Sequence, residues 1–290
     1  IVLINIGEKS LEKYGQWPWP RQYFAQMISD LRNANAGMIA FTVMYPEADR
    51  FGGDEVFASW IKDNGIILSQ TPSARGRSDV APYVGVATLG EGDPYNFVYE
   101  YEGLVTNIPE LIPEGMGMIN ATPEVDNLVR RMPLITQVNN QLYPSLPMEI
   151  IRTLQQKKSY TIKANEFGIV DLMIPPYEPI KTDMTGSIWI NPTYHFQDIE
   201  YYGQALPDLQ GKTVLIGTTA EGIQVLLPTP KGSEYPHAVQ ASALQTIMNG
   251  DSISRPQLAN LIEIALVGLL GLGVILSVYY LPLFLSLTAS

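Results

Sequence analysis

Met38-Ile39-Ala40-Phe41-Thr42-Val43-Met44-Tyr45 is an apolar run closed by Pro46, and its reading decides the fold. A short run of this kind predicts a strand buried in a parallel sheet. On its N-terminal side, Arg21 to Ala36 carries Phe24, Met27, Ile28 and Leu31 at helical spacing. Pro20 suits the first turn of that helix and Gly37 its end. Before it lies the loop Trp17-Pro18-Trp19-Pro20, and before that Ile1–Ile6, a second buried strand. On the other side, Gly53 to Asp63 predicts a helix with Val56, Phe57, Trp60 and Ile61 on one side, ended by Gly65. Ile66–Ser69 is a third strand. Strand and helix alternate, which predicts an α/β fold with a mostly parallel sheet flanked by helices.

Further along, the pattern becomes a β-rich insertion. Tyr83–Leu89 and Met116–Asn120 read as strands. Val129–Val138 and Gln141–Tyr143 flank Asn139-Asn140, a two-residue hairpin turn. Ser145 to Gln155 reads as a helix capped by Ser145. Ser159–Lys163, Ile169–Ile174 and Thr213–Gly217 are further strands, and His237–Asn249 is a last helix stopped by Gly250.

From Ile264 to Ser290 no side chain is charged. With Leu258, Ala259, Leu261 and Ile262 in front, the run is long enough to cross a bilayer as a helix. The expected layout is a soluble domain over 1–255, a transmembrane helix over 258–281, and the start of a second one over 283–290 after Pro282. The chain reads as a piece of a longer protein. Its net charge of -11 lies entirely at or before Glu263. That acidity argues against nucleic acid as a partner and against docking on anionic lipid. There is no cysteine, which removes disulfides, thiolate metal sites and cysteine nucleophiles.

Several motifs carry candidate chemistry. The Gly217-Thr218-Thr219-Ala220-Glu221-Gly222 loop follows a strand, where backbone amides can cradle an anion. It lacks the Walker lysine, and a structural turn is the stronger reading. Asp126 with Arg130 and Arg131 can bind a carboxylate or phosphate through a guanidinium fork, or can simply be solvated charges on a turn. His195 and His237 share no metal-ligand spacing, and His237 reads as a surface or packing residue. The Trp-Pro loop can line an apolar pocket or pack on the sheet, with packing favoured. No Gly-x-Ser-x-Gly elbow and no carboxylate pair of telling spacing marks an enzyme.

Taken in order, Ser10-Leu11, Gln16 to Arg21, Ala40-Phe41, Pro46-Glu47 and Asp49-Arg50 resemble the CHASE type II domain. So do Asn120, Asp126, Val129 to Leu134, Tyr143 to Leu146, Gly211 to Ala220, Thr229-Pro230 and Ala243-Leu244. The resemblance covers roughly 1–255. It implies an extracytoplasmic sensory domain of a bacterial receptor, followed by membrane spans and a cyclase or kinase output outside this chain. It also implies a homodimer in the inner membrane. The chain departs from the family pattern where acidic or polar groups are expected: Asn5 and Gly7 in the first strand, Thr42 in the second, Val225 after the Gly217 loop, Ala238 and Gln240 in the last helix. These departures suggest an altered or lost ligand. The candidate ligand-binding residues are Asn5, Thr42, Asn120, Asp126, Arg130, Arg131, Thr218 and Thr219, with no catalytic residue, metal or cofactor expected. The expected partners are an unidentified small molecule or ion, the lipid bilayer and a second copy. The competing reading is a membrane-anchored structural or protein-interaction ectodomain that has lost ligand binding.

Overall fold

The computed structural model describes residues 1–74, 84–113, 115–253 and 259–280. The chain divides into two units, Ile1–Ile253 and Ser254–Ser290. The first unit begins β1 (Val2–Ile6), α1 (Glu8–Tyr14), α2 (Arg21–Asn33), β2 (Met38–Phe41), α3 (Asp54–Asp63) and β3 (Leu68–Ser73). Then come β4 (Gly85–Leu89), β5 (Glu100–Tyr101), β6 (Gly103–Val105), β7 (Met116–Met118), β8 (Arg131–Pro133), β9 (Ile135–Val138) and β10 (Gln141–Pro144). Next are α4 (Leu146–Leu154), β11 (Ser159–Asn165), β12 (Gly168–Met173), β13 (Ile180–Lys181), β14 (Ser187–Trp189) and β15 (Gln197–Glu200). β16 (Thr213–Thr218), β17 (Leu227–Thr229), β18 (Gly232–Glu234) and α5 (Pro236–Asn249) complete it.

The central sheet is parallel, in the order β15-β1-β16-β2. An Ala40–Ile67 bridge carries it on to β3, which pairs in parallel with β7. The two faces follow from the period-2 alternation of a strand. Val2, Ile4, Ile6, Ile39, Phe41, Val214 and Ile216 pack with Phe24, Met27, Ile28 and Leu31 of α2 and with Phe57 and Ile61 of α3. Leu3, Met38, Ala40 and Leu215 share the opposite core with Leu146, Ile150 and Ile151 of α4 and Val239, Ala243, Leu244 and Ile247 of α5. Each fully buried large side chain contributes about 1.5–3 kcal/mol, so covering both faces is what lets these strands be apolar throughout. The insertion supplies smaller sheets, β10-β9-β5, β13-β12-β11-β4 and β14-β8. The fold class is therefore the one expected from the sequence.

Local boundaries differ for identifiable reasons. α2 stops at Asn33, and the left-handed residue after it is Asn35 (φ 62°), not Gly37. The N–H groups of Asn35 and Ala36 return to Arg32 and Leu31, closing the helix early. β2 is shorter than Met38–Tyr45. After Thr42 the chain leaves the sheet, the Tyr45 N–H goes to Asn107 Oδ1, and the Tyr45 ring joins Phe24 and Phe57. On α3, Phe57 and Ile61 are buried but Val56 is 54% exposed. The Asn139-Asn140 turn has φ of 50° and 60°, as a type I′ hairpin requires. Ser145 Oγ accepts from the Met148 N–H, capping α4. Tyr83 lies outside the described residues.

In the second unit α6 (Ala259–Tyr280) is apolar apart from Asn260, Glu263 and Ser277. Leu261–Tyr280 has a mean hydropathy of 2.5, long and apolar enough to cross a membrane. Leu258, Pro282 and the segment 283–290 lie outside the described residues.

Candidate functional site

The eight candidate residues form two groups. Asn5, Thr42, Thr218 and Thr219 stand at the carboxyl ends of β1, β2 and β16, where ligands of open α/β sheets bind. Here the side chains of Asn5, Thr42 and Thr218 bond to neighbouring groups of the fold. The Asn5 Oδ1 lies 2.7 Å from His237 Nε2. Burial holds His237 neutral, with its pKa lowered to about 4, so Nε2 carries the proton and donates. Nδ1 then has no hydrogen-bond partner among the described residues. The ring lies on Gly217, where a Cβ would stand 2.1 Å from Nδ1. His237, only 1% exposed, is thus a packing residue and not a surface one. Thr42 Oγ1 donates to the Ile216 carbonyl (2.9 Å) and Thr218 Oγ1 to that of Ile223 (3.4 Å).

In the Gly217 loop three backbone amides are engaged within the fold. The Thr219 and Ala220 N–H groups donate to the Ile6 carbonyl, and the Glu221 N–H donates to Glu8 Oε1 (2.6 Å). The acidic groups expected on β1 arrive instead from its neighbour. β15 sets Glu200 opposite Asn5 and Asp198 opposite Leu3. Asn5 Nδ2 donates to Asp198 Oδ1 (3.4 Å), and Glu200 Oε1 accepts from the Lys9 N–H (2.7 Å). That carboxylate occupies the space a Cβ at Gly7 would need. Gln197–Glu200 is short and polar, which is why sequence periodicity passed over it. Of the other departures, Val225 is exposed, whereas Gln240 is buried and donates to the Ile119 carbonyl (3.1 Å).

The second group lines a cavity of about 970 Å³ in the insertion. Asn120, Asp126, Arg130 and Arg131 all reach it, together with Phe97, Tyr99, Tyr101 and Thr136. Asn120 follows β7 and accepts from Thr136 Oγ1 (3.2 Å). Arg130 holds Asp126 in a two-point contact (2.8 and 2.6 Å) and reaches Glu124 Oε2 (3.1 Å). Arg131 holds Glu124 Oε1 and Asp183 Oδ2 (both 2.9 Å) and lies over the Trp189 ring. The Arg130 fork, then the Leu128 N–H, pull the Asp126 carboxyl down to about 2. Both guanidinium groups are therefore already engaged. An anionic ligand would have to displace Asp126, which is 50% exposed and the cheapest member to release. A turn carrying Asn127 at φ 65° presents these carboxylates. Asp183, which completes the network with Glu124, gave no motif signal because it comes from a turn 52 residues from Arg131.

Among the described residues no three of His, Asp and Glu converge as metal ligands. No curated protein and no solved structure matches the chain. The family model of the CHASE2 domain matches residues 1–276, spanning the sheet, the insertion and most of α6. The chain belongs to the CHASE2 domain family, whose members are extracellular sensory, non-catalytic domains.

Proposed function

We propose that this chain is the extracytoplasmic sensory part of a membrane-anchored receptor, facing the periplasm from the inner membrane as a homodimer. It passes an external cue to a cytoplasmic output domain outside the chain. The observation that carries the reading is the cavity that gathers Asn120, Asp126, Arg130 and Arg131. Its volume fits a small ligand, and its polar wall with an aromatic side fits ligand pockets generally. A route outward also exists. Ile119 precedes Asn120, and its carbonyl is held by Gln240 on α5. α5 is the last helix before α6 in the chain. A ligand that moved the 119–131 segment would act on α5 through that bond, provided it binds the two arrangements with different affinity.

The test is hydrogen exchange on the chain in lipid nanodiscs, titrated with a panel of small carboxylates, phosphates, amines and sugars. The expected result is a compound class that slows exchange in 119–131 and α5 together. Arg130→Ala should abolish both effects, and Gln240→Ala should abolish only the second. A broad panel with no such class refutes the reading.

One observation favours the competing reading of an interaction ectodomain without a ligand. At the strand-end crevice, where a ligand of this fold class is expected, the Asn5 side chain is engaged by His237. Under that reading exchange changes only with a protein partner.

A further inference from the structure

We infer that the ligand of the cavity in the insertion is an uncharged, hydroxyl-rich ring of the kind a sugar unit presents. This rests on the sensory reading of that cavity and adds the ligand class to it. Three properties of the wall lead there: its charges, its unclaimed hydrogen-bonding groups and its open aromatic ring.

The charged side chains on the wall are Glu124, Asp126, Arg130 and Arg131. Every carboxylate oxygen among them already accepts from a guanidinium. Asp126 takes two bonds from Arg130 (2.8 and 2.6 Å), and Glu124 takes one from Arg131 (2.9 Å) and one from Arg130 (3.1 Å). Asp183 holds Arg131 as well (2.9 Å). An anion reaches a guanidinium here only by taking the place of a carboxylate, and a cation reaches a carboxylate only by taking the place of a guanidinium. Either exchange breaks one ion pair to make another. A neutral ligand breaks none.

The same groups keep hydrogen-bonding capacity. Arg130 Nε and Arg131 Nη2 have no hydrogen-bond partner among the described residues. The Asn120 amide nitrogen and the hydroxyl of exposed Thr122 are equally unclaimed. Asp126 Oδ2 and both Glu124 oxygens accept only one bond each, and a carboxylate oxygen can accept a second. Asp126 and Arg131 are 50% and 41% exposed, so these atoms are open to a ligand. Free donors thus stand beside free acceptors, and a hydroxyl is the group that gives one hydrogen bond and takes another. Tyr99 adds an apolar surface to the wall and is 74% exposed. Tyr101 meets it edge-on, with centroids 4.8 Å apart, and is itself packed on Leu104, Met118, Val138 and Tyr143. An edge-on contact covers at most one face of Tyr99, which leaves an aromatic surface for the C–H side of a sugar ring.

The probes are the methyl glycosides of glucose, galactose and mannose, with glucuronate and glucosamine as charged counterparts. They are titrated into the chain in nanodiscs and read by saturation-transfer NMR. At least one neutral glycoside should give a saturable signal. Glucuronate and glucosamine should bind about fivefold more weakly, the weight of one partly exposed ion pair. Tyr99→Ala should weaken the neutral glycoside about three- to tenfold, and Tyr99→Phe should restore it. Absence of a saturable signal from every neutral glycoside overturns the inference. The sensory reading outlives that result if a carboxylate, phosphate or amine still slows exchange in 119–131, and falls with it if none does. Glucuronate or glucosamine binding as tightly as the neutral sugar overturns the uncharged class. Equal binding by the parent chain and Tyr99→Ala overturns the placement of the ring on Tyr99.

Discussion

Replacing His237 with Gln tests whether the imidazole is held buried and neutral against Gly217. In the unfolded chain His237 titrates at its ordinary value of 6.5, whereas burial lowers it to about 4 in the fold. Between those values the unfolded chain binds a proton that the folded chain refuses. Stability from neutral His237 is therefore complete above about pH 6.5, falls as pH drops toward 4, and changes no further below that. The shift corresponds to on the order of 3 kcal/mol. The assay is urea unfolding of the chain in nanodiscs, followed by tryptophan fluorescence, for the parent and His237→Gln at intervals from pH 7.5 to 4. The readout is the difference between the two. Glu149, whose carboxyl is raised by burial and lowered again in part by Arg152, titrates in both proteins and cancels. The parent's advantage should shrink by about 3 kcal/mol across the window. A difference constant to within about 0.5 kcal/mol, which is about a third of one pKa unit, would refute burial of a neutral imidazole against Gly217.

Other consequences are equally direct. Gly217→Ala places a methyl inside the His237 ring and should cost about 2–3 kcal/mol in urea unfolding, with His237→Ala in the same chain restoring part of the loss. Glu149→Ala removes the carboxylate from a pair that is 0% and 12% exposed and leaves a buried gap beside Arg152; the expected loss is about 3 kcal/mol by the same method. Arg131→Ala removes one ion pair to Glu124, which Arg130 still holds, and one to Asp183. Partly exposed pairs contribute about 0–1 kcal/mol each, so the melting temperature should move by only a few degrees while limited proteolysis near Val125 accelerates. Asn140→Val forces a β-branched residue to a φ of 60° and should cost about 1–3 kcal/mol in thermal melts.

The α/β architecture was legible because buried parallel strands are apolar on both faces, and Met38–Phe41, Val2–Ile6 and Thr213–Gly217 show that without ambiguity. The elements that escaped notice are polar or very short. β15 reads Gln197-Asp198-Ile199-Glu200, and α1 buries only Ser10, whose hydroxyl donates to the Tyr201 carbonyl. Neither leaves a hydrophobic period to find. The candidate residues were legible as types, but not their grouping. Arg130 and Arg131 are adjacent in sequence, yet one grips a turn four residues back and the other reaches Asp183, 52 residues on. The acidity missing from β1 was visible only as a departure, because Asp198 and Glu200 restore it through strand pairing, which a linear reading does not reveal.

The placement of β1 has a kinetic consequence. It is the first strand of the chain, yet it lies inside the sheet, and its partners are β15 and β16, with Val2 opposite Gln197 and Val214. Both of its edges are taken by strands nearly 200 residues or more further on. Until residues beyond about 215 have emerged, the apolar run Val2–Ile6 has both of its edges open, and closing so long a loop is slow. Folding of this domain therefore comes late, as β15 and β16 arrive, and the Val2–Ile6 run is the part most in need of a chaperone.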